Sequence, residues 1–371
     1  MCPSLPHPRH GSETDRPGLF LMPGKTIVVA LSGGIDSLTA AHILKKEGHR
    51  VIGVHFTTGY EKIPDKTEPS IYIKHKIDHL QEALGIKVHA VDLQRPFQNL
   101  VVRYFVDGYR RGITPNPCLV CNPSIKFGLL LEWAQKLGAQ YLATGHYARL
   151  RVDADKSVHL LKGHDDQKDQ SYFLARMSRR QLRSVIFPLG DFIKADVIAM
   201  AKANGLEAVE KGESQDVCFI QGTKNRFLKN MPGFVHRPGP IVDSEGKTLG
   251  RHDGLYRYTI GQRKGINIPA GHAYYVIKID VATNRLVVGK KKDTFADRCT
   301  VSGINWINLP PQSVFRASVR IRYRHQAAPA TVEAQGSHAL VKFDEPQSAI
   351  TPGQGAVFYQ ADEVLGGGWI E

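Results

Sequence analysis

Short apolar runs alternate with amphipathic stretches through the first half of the chain. Runs rich in β-branched residues predict buried strands, and apolar residues at helical spacing predict helices. Strands are predicted at 27–31, 51–56, 88–92 and 141–144, and helices at 38–46, 72–84, 97–109, 129–137 and 195–203. Alternating strands and helices predict βαβ units, and therefore an α/β fold with a doubly wound parallel sheet.

The pattern changes at about residue 219, where glycine, proline and short alternating strands become dominant. Strands are predicted at 273–279, 285–288, 314–323, 339–343 and 356–359. This texture is typical of all-β structure. We expect an α/β domain over 25–217, a central β-rich domain over 218–293 and a C-terminal β-barrel over 294–371. The proline-rich residues 1–24 are expected to be a disordered extension.

Charge and cysteine content narrow the classes of function. The 371 residues include 49 lysines and arginines against 35 acidic residues, a net charge of +14. This excess favours a nucleic-acid partner, and an inert basic surface is the alternative. No apolar run reaches the roughly 18 residues of a membrane helix, so no membrane partner is expected. Five cysteines, an odd number, do not suit a disulfide framework and fit a reducing cytoplasm.

The turn between the first predicted strand and helix carries the clearest chemistry. Residues 32–37 read Ser-Gly-Gly-Ile-Asp-Ser. A strand, a small-residue turn and a helix N-terminus make an anion site, because backbone N–H groups and the helix dipole both face the ligand. No Gly-Lys-Ser/Thr follows at the distance that a Walker A loop requires. The residues resemble instead the pyrophosphate loop (PP-loop) of the ATP pyrophosphatases, which cut ATP between its α and β phosphates.

Three cysteines are candidates for further chemistry. Cys118 and Cys121 are separated by two residues ahead of a predicted helix, a spacing that can place both sulfurs on one face. Cys218 lies near the end of the predicted α/β domain. A lone C-x-x-C pattern fits a redox pair, part of a zinc site or coincidence. Zinc normally takes four ligands, and no second such pair lies near Cys218.

A series of motifs extends this picture along the chain. After the PP-loop come Thr-Pro-Asn-Pro with a following Cys-Asn and Ile-Lys-Phe, Ala-Thr-Gly-His-Tyr, Lys-Asp-Gln-Ser-Tyr-Phe-Leu, Cys-Phe-Ile, Gly-Gln-Arg-Lys-Gly and Thr-Pro-Gly-Gln. In this order they resemble the tRNA-specific 2-thiouridylase (MnmA) family, over roughly residues 25–371. The resemblance implies a PP-loop ATP pyrophosphatase domain followed by two β domains, the architecture predicted above.

The resemblance also implies an activity, the ATP-dependent 2-thiolation of the wobble uridine of certain tRNAs. ATP would adenylate the C2 oxygen, which is necessary because hydroxide is too poor a group to leave a urea-like carbon. A persulfide on Cys218 would then attack C2, with Cys121 as the nucleophile that releases the sulfur. The implied partners are the tRNA anticodon loop and a sulfur donor protein or hydrosulfide. The target base must leave its stack to react.

Site residues are implied position by position. Those that match the family's nucleotide site are Ala30, Leu31, Ser32, Gly33, Gly34, Ile35, Asp36, Ser37, Phe56 and Gly145. Asp36 is expected to bind Mg²⁺ beside ATP, and Phe56 to pack against adenine. Those that match tRNA contacts are Asn116, Pro117, Cys118, His146, Lys168, Asp169, Gln170, Arg322, Tyr323 and Gln354. Alternation further predicts that Arg320, Arg322 and Arg324 share one strand face, suited to phosphate or to a solvated edge.

Cys118 departs from the family pattern, since many members carry aspartate there. A neutral thiol cannot act as the anionic group that an aspartate provides. Cys118, Cys121 and Cys218 also resemble the ligand set of related tRNA thiolases that hold a 4Fe–4S cluster with one open iron. A persulfide relay and a cluster that delivers hydrosulfide are therefore alternative mechanisms.

Two other functions would explain part of the sequence. A PP-loop ligase that acts on a small molecule would use the ATP loop, but it gives no role to the three cysteines or the basic β region. A non-catalytic tRNA-binding protein would use the basic surface, but it leaves Asp36 and Ser37 unexplained.

Overall fold

The computed structural model describes residues 22–65, 67–209, 217–308, 310 and 312–371. Disorder was expected for residues 1–24, and residues 1–21 of that stretch lie outside the described residues. The chain divides into two compact units. The first contains the chain up to Gln98, Leu119–Phe219 and Asp362–Val364, and the second contains Asn99–Cys118, Ile220–Ala361 and Leu365–Glu371. In the part of the chain that is described, no helix is both long and apolar enough to span a membrane.

A parallel sheet forms the core of the first unit. The strands of this unit are β1 Thr26–Ala30, β2 Arg50–Thr57, β3 Val88–Asp92, β4 Tyr141–Ala143, β5 Ala148–Val152, β6 Val158–Lys162 and β7 Val185–Ile186. The sheet order is β3-β2-β1-β4-β7, with parallel pairing throughout. Ile27 lies opposite Val51 on one side and Tyr141 on the other. The predicted doubly wound α/β fold is confirmed.

The central position of β1 follows from its sequence. Its residues Ile27, Val28 and Val29 are fully buried, as β-branched residues in an internal parallel strand should be. Ile27 and Val29 pack with Leu38 of the next helix and with Leu80 of a helix further along the chain. Because β1 ends at Ala30, the Ser32–Ser37 segment begins at the carboxyl edge of the sheet, where such folds bind ligands.

Helices connect the strands, and each of the five predicted helices begins earlier than predicted. The α-helices are α1 Ile35–Lys46, α2 Pro69–Leu84, α3 Gln94–Phe97, α4 Arg103–Arg110, α5 Cys118–Cys121, α6 Leu130–Lys136, α7 Ser171–Leu174, α8 Arg179–Leu182, α9 Lys194–Ala203 and α10 Lys224–Lys229. π-helical segments at Gln98–Val102 and Asn122–Leu129 join α3 to α4 and α5 to α6. The helix predicted at 129–137 therefore begins at Cys118, and the wider π turn hides its earlier part from a 3.6-residue pattern.

The central β-rich part lies in the second unit. Its strands are β8 Gly239–Val242, β9 Thr248–His252, β10 Tyr275–Asp280 and β11 Arg285–Gly289. They pair in the order β10-β11-β8-β9, and Ile241, Val276, Leu286 and Val288 are buried together in their core. Short 3₁₀ segments lie at Leu255–Arg257 and Lys291–Thr294.

A closed antiparallel barrel follows, and this confirms the predicted C-terminal barrel. Its strands are β12 Phe295–Trp306, β13 Val314–Arg320, β14 Ala328–Gln335, β15 His338–Ser348, β16 Gly355–Gln360 and β17 Glu363–Ile370. The order is β12-β15-β14-β13-β16-β17, and pairing between β12 and β17 closes it. Inward-facing apolar side chains such as Val319, Val332 and Val341 fill the interior.

One predicted strand is shorter than expected. The strand proposed over 314–323 ends at Arg320, and residues 321–327 connect β13 to β14. The Arg320 Nε donates to the His325 carbonyl oxygen at 2.9 Å, which closes the connection, and Ile321 is buried beneath it. The prediction that Arg320, Arg322 and Arg324 share one strand face was therefore wrong, because the chain turns between them.

Candidate active site

The residues between β1 and α1 form a tight turn braced by serine hydroxyls. Gly33 has a φ of +92°, a left-handed conformation that glycine adopts at little cost. The Ser37 hydroxyl donates to the Gly34 carbonyl oxygen at 2.9 Å and accepts from the Ser32 amide at 3.3 Å. The helix that follows is 12 residues long, and its first turn offers amides to an anion. The turn has the geometry expected of an anion-binding loop.

Asp36 is the most firmly held polar side chain of this turn. The Lys194 ammonium donates to its two carboxylate oxygens at 2.7 and 2.8 Å, and the Tyr147 hydroxyl donates to Oδ1 at 2.8 Å. The Lys194 side chain is 15% exposed and that of Asp36 34% exposed. Neither Tyr147 nor Lys194 was predicted from the sequence as a site residue. The position of Tyr147, directly after the Gly145-His146 pair, was a usable signal, whereas Lys194 lies on a distant helix with no motif around it.

Two further predicted nucleotide residues lie at the same edge of the sheet. A Cβ at Gly145 would lie 2.8 Å from the Asp36 carbonyl carbon and 3.0 Å from its Cβ, so only glycine lets the two backbones approach this closely. Phe56 is half-buried and lies one residue before the end of β2. Because β2 and β4 flank β1 in the sheet, the structure brings both residues to the carboxyl edge together with the turn.

The predicted tRNA contacts Lys168, Asp169 and Gln170 lie between β6 and α7, but Asp169 faces inward. Asp169 is 3% exposed. Its carboxylate accepts N–H bonds from Gly163 at 3.1 Å and Ser171 at 3.0 Å, and a hydroxyl bond from Ser171 at 3.1 Å. Charge-assisted bonds of this kind are strong. Asp169 is therefore placed to shape the loop, while Lys168 beside it is half-buried.

The same loop positions both partners of Asp36. Gln170 accepts the Tyr147 amide on its Oε1 at 3.1 Å and donates its own amide to the Tyr147 carbonyl at 2.8 Å. Asp165 accepts the backbone amide of Lys194 at 2.9 Å, at the first residue of α9. Residues 165–170 thus fix the backbone positions of Tyr147 and Lys194, from which the hydroxyl and the ammonium reach Asp36.

His146 is neutral in its surroundings. Its Nδ1 lies 2.6 Å from the Thr144 hydroxyl, and its Nε2 lies 3.5 Å from the Lys126 ammonium. Since an ammonium group can only donate, Nε2 accepts and the proton resides on Nδ1. Removal from water holds the pKa of His146 well below its usual range, and the Lys126 charge lowers it further. Near pH 7 this residue can offer hydrogen bonds but no positive charge.

Cys218 is exposed, and the residue that follows it is buried. The residue is exposed, whereas the next residue, Phe219, is buried and contacts Phe97 and Tyr60 edge to face at 5.6 and 5.8 Å. Part of the residue is open to solvent, but protein atoms beside the thiol partly withdraw it from water and raise its pKa, while Lys126 acts in the opposite direction. The cysteine is accessible to a partner, and its thiol is protonated near pH 7.

Cys118 and Cys121 begin and end the single turn of α5. Cys118 is half-buried and Cys121 is buried. The C-x-x-C segment is itself helical, whereas the sequence predicted that it lies ahead of the helix. Across the described ranges, no group of three or more His, Cys, Asp or Glu side chains could hold a metal ion. Cys118, Cys121 and Cys218 therefore do not form the ligand set of an iron–sulfur cluster in this structure.

The predicted tRNA position Gln354 is bonded, within the second unit, to the segment that leads to Asn116 and Pro117. The Gln354 Nε2 donates to the Thr114 carbonyl oxygen at 2.8 Å, and the Thr114 amide donates to the Pro352 carbonyl oxygen at 2.9 Å. Asn116 and Pro117, just beyond Thr114, are buried. A loop of the C-terminal barrel thus holds the segment that precedes Cys118.

Arg322 and Tyr323 lie in the connection between β13 and β14. The Arg322 guanidinium donates to the Ser348 carbonyl oxygen at 3.0 Å, and the Arg320 guanidinium lies 5.5 Å from the centre of the Tyr323 ring. Both predicted tRNA residues are half-buried. Contacts within the barrel thus hold the Arg322 guanidinium and the Tyr323 ring in position.

Comparison with known proteins gives a consistent set of relatives. Models of a tRNA methyl transferase HUP domain, a tRNA methyl transferase PRC-barrel domain and an aminomethyltransferase β-barrel domain match residues 25–222, 225–290 and 296–370. The chain is 46% identical over 355 residues to the tRNA-specific 2-thiouridylase MnmA of Syntrophotalea carbinolica, covering 93% of this chain and 98% of that one. It is 47% identical over 346 residues to that of Desulfosudis oleivorans, covering 93% and 94%.

Among solved structures, the chain is similar to the U34-tRNA thiolase NcsA from Methanococcus maripaludis with its [4Fe–4S] cluster. The match covers 57% of this chain and 68% of that chain, at 18% identity and a TM-score of 0.33. A likeness at this level carries no argument about the cofactor of this chain.

Proposed function

Because this chain belongs to the tRNA-specific 2-thiouridylase family, we propose that it replaces the C2 oxygen of the wobble uridine in tRNA by sulfur, in an ATP-dependent reaction. The observation that carries this proposal is the arrangement of Asp36, Lys194 and Tyr147 at the mouth of the serine-braced turn. A phosphate-binding turn whose charged groups are already in place suits the activation of a poor electrophile by ATP.

The turn supplies the activating half of the reaction. The C2 oxygen attacks the α-phosphorus of ATP, pyrophosphate leaves, and the adenylated oxygen becomes a good leaving group. The hydroxyls of Ser32 and Ser37 and the amides around Gly33 bind phosphate oxygens. The carboxylate of Asp36 is a hard oxygen ligand at a partly exposed position, which fits Mg²⁺. The ion, when bound, would neutralise phosphate charge.

Cys218 and Cys121 supply the sulfur half. We assign the persulfide to Cys218, because its exposure leaves it accessible to a sulfur donor protein. The terminal persulfide sulfur attacks C2 and AMP departs with the oxygen. Cys121 then attacks Sγ of Cys218, the bond from that sulfur to the transferred sulfur breaks, and 2-thiouridine leaves as a Cys121–Cys218 disulfide forms, which a thiol reductant reopens. The reducing conditions of the cytoplasm suit this cycle.

No step is assigned to an iron–sulfur cluster, because the described residues do not assemble its three cysteine ligands. Cys118, which stands where many relatives have aspartate, takes no proton in this scheme. Anaerobic purification followed by iron and acid-labile sulfide assays separates the mechanisms. Stoichiometric iron bound through Cys118, Cys121 and Cys218 would contradict the relay.

The tRNA is bound through positive charge and shaped loops. We propose contacts from Lys168, His146, Arg322, Tyr323 and Gln354, with the Asn116–Cys118 segment near the flipped base. Asp169 and Gln170 act on the loop, since their side chains are engaged within the chain. Given the net charge of +14, tRNA affinity should fall steeply as the salt concentration rises.

Measurement of pyrophosphate release distinguishes this function from the two alternatives, a small-molecule ligase and a non-catalytic tRNA-binding protein. The protein is incubated with ATP and either a wobble-uridine tRNA, the same tRNA with cytidine at the wobble position, or no RNA. Release that requires the wobble uridine supports thiolation. Release without RNA would point to a ligase for a small molecule, and tRNA binding without any release would point to a non-catalytic binding protein.

A further inference from the structure

Lys194 places an ammonium group at the mouth of the anion-binding turn. Its Nζ contacts both oxygens of Asp36 at 2.7 and 2.8 Å. Lys194 is thus a cation positioned beside the loop that we assign to phosphate.

Asp36 creates an electrostatic difficulty for that loop. A carboxylate in the first turn of α1 repels the phosphates that the turn is shaped to bind, since like charges at a few ångströms oppose each other strongly outside bulk water. Lys194 neutralises this carboxylate in the nucleotide-free protein. When phosphate arrives, it competes with Asp36 for the same ammonium group.

The backbone of Lys194 is fixed while its side chain can turn. Lys194 is the first residue of α9, and its amide donates to Asp165 at 2.9 Å. The four-carbon stem of lysine carries its charge as a flexible point donor. The ammonium can therefore move from one oxygen ligand to another without displacement of the helix.

We propose that Lys194 is a phosphate-binding residue whose ammonium passes from Asp36 to the β-phosphate of ATP and then stabilises the departing pyrophosphate. The inference rests on the proposed function for the identity of the nucleotide. In the adenylation step the bond from the C2 oxygen to the α-phosphorus forms and the bond from that phosphorus to the bridging oxygen breaks. The electron pair leaves on pyrophosphate, where the Lys194 charge offsets it, and Lys194 transfers no proton.

Binding of inorganic pyrophosphate and of AMP, each without metal, tests this assignment by calorimetry. Lys194→Met should weaken pyrophosphate binding by about tenfold or more, the usual size of a lost charged hydrogen bond, and AMP binding by less than about threefold. Lys194→Arg should recover part of the pyrophosphate affinity. Lys202→Met, an exposed lysine on the same helix, should change neither, and thermal unfolding confirms that each variant folds.

A double variant separates direct binding from mere neutralisation. In Asp36→Asn with Lys194→Met the pair is uncharged, so pyrophosphate affinity returns to normal if Lys194 only cancels the aspartate. We expect it to stay at least about fivefold weaker than in the parent protein, because a direct donor is missing. Full recovery in the double variant, or equal losses for AMP and pyrophosphate in Lys194→Met, would overturn the assignment. These measurements need no tRNA and no sulfur donor, so they stand apart from any failure of the thiolation assay.

Discussion

The turn at residues 32–37 and the cysteine positions serve the two halves of the proposed reaction, and the folded chain organises them to different degrees. Asp36 is held by Lys194 and Tyr147 within 2.8 Å, and Gly145 packs against its backbone. The cysteines differ among themselves, because Cys121 is buried and Cys218 is exposed. ATP chemistry needs fixed charges, whereas sulfur must first arrive from another molecule. Preorganisation is therefore concentrated in the activating half of the proposed site.

Loss of the Cys218 thiol should separate the sulfur half of the reaction from the activating half. Cys218→Ser should lower the formation of 2-thiouridine by on the order of 10³-fold or more, since it removes the sulfur carrier. The tRNA-dependent release of pyrophosphate should persist in the same variant, because the turn is unchanged. Nucleoside mass spectrometry and a pyrophosphate assay on one reaction mixture measure both. Normal 2-thiouridine formation by the variant would remove Cys218 from the mechanism.

A smaller effect should come from the glycine that packs against the turn. In Gly145→Ala the new Cβ would lie 2.8 Å from the Asp36 carbonyl carbon, so the first turn of α1 must shift. A displacement of about 1 Å can cost a hundredfold in rate, and we expect adenylation to fall by about that factor. Gly271→Ala is the matched control, because a Cβ there meets open space. Unchanged adenylation in Gly145→Ala would show that the turn tolerates displacement.

The loop at residues 165–170 yields a prediction about stability. Asp169→Asn replaces a carboxylate that accepts hydrogen bonds from three donors. The free energy of unfolding should therefore fall by about 1–3 kcal/mol. Lys168→Met should weaken tRNA binding and leave thermal unfolding almost unchanged. Thermal unfolding and tRNA binding are measured for both variants. If Asp169→Asn were as stable as the parent and bound tRNA weakly, Asp169 would be an RNA contact after all.

The smallest effect concerns pH. The pKa of His146 is held below its usual range, so unfolded chains take up a proton near pH 6.5 that the folded protein resists. The contribution of a neutral His146 is therefore complete above pH 6.5 and is lost as the pH falls below it. The stability difference between the parent and His146→Gln should shrink between pH 7.5 and pH 5.5. A difference that is constant over this range would contradict the assigned neutral state.

Several other histidines titrate in the same way in the parent and in His146→Gln. Their contributions therefore cancel from the difference in stability between the two proteins. Those whose pKa is also lowered, chiefly by burial, are His42, His49, His89, His252 and His325. Measuring a difference between two variants, and not the pH dependence of one protein, therefore isolates His146.

The sequence predicted well what depends on local pattern. Buried β-branched runs such as Ile27–Val29 identified the parallel strands, and the small residues after β1 identified the turn. Lys194 was missed because a pair with Asp36, 158 residues away, arises only from the packing of α9 against α1. The run at Arg320–Arg324 was misread because alternation of residue types also occurs in a turn, where it fixes no common face. Asp169 matched an RNA-contacting position, yet only the fold shows that its carboxylate points inward.

Transfer of a labelled sulfur from Cys218 to tRNA tests the proposed sulfur relay and its dependence on ATP. Cys218 is loaded with a ³⁴S persulfide, excess donor is removed, and one turnover is started with ATP and wobble-uridine tRNA. We predict one ³⁴S-labelled 2-thiouridine and one pyrophosphate for each labelled Cys218, with none formed when ATP is omitted. Pyrophosphate release with the label still on the protein, or labelled 2-thiouridine in the absence of ATP, would contradict the account.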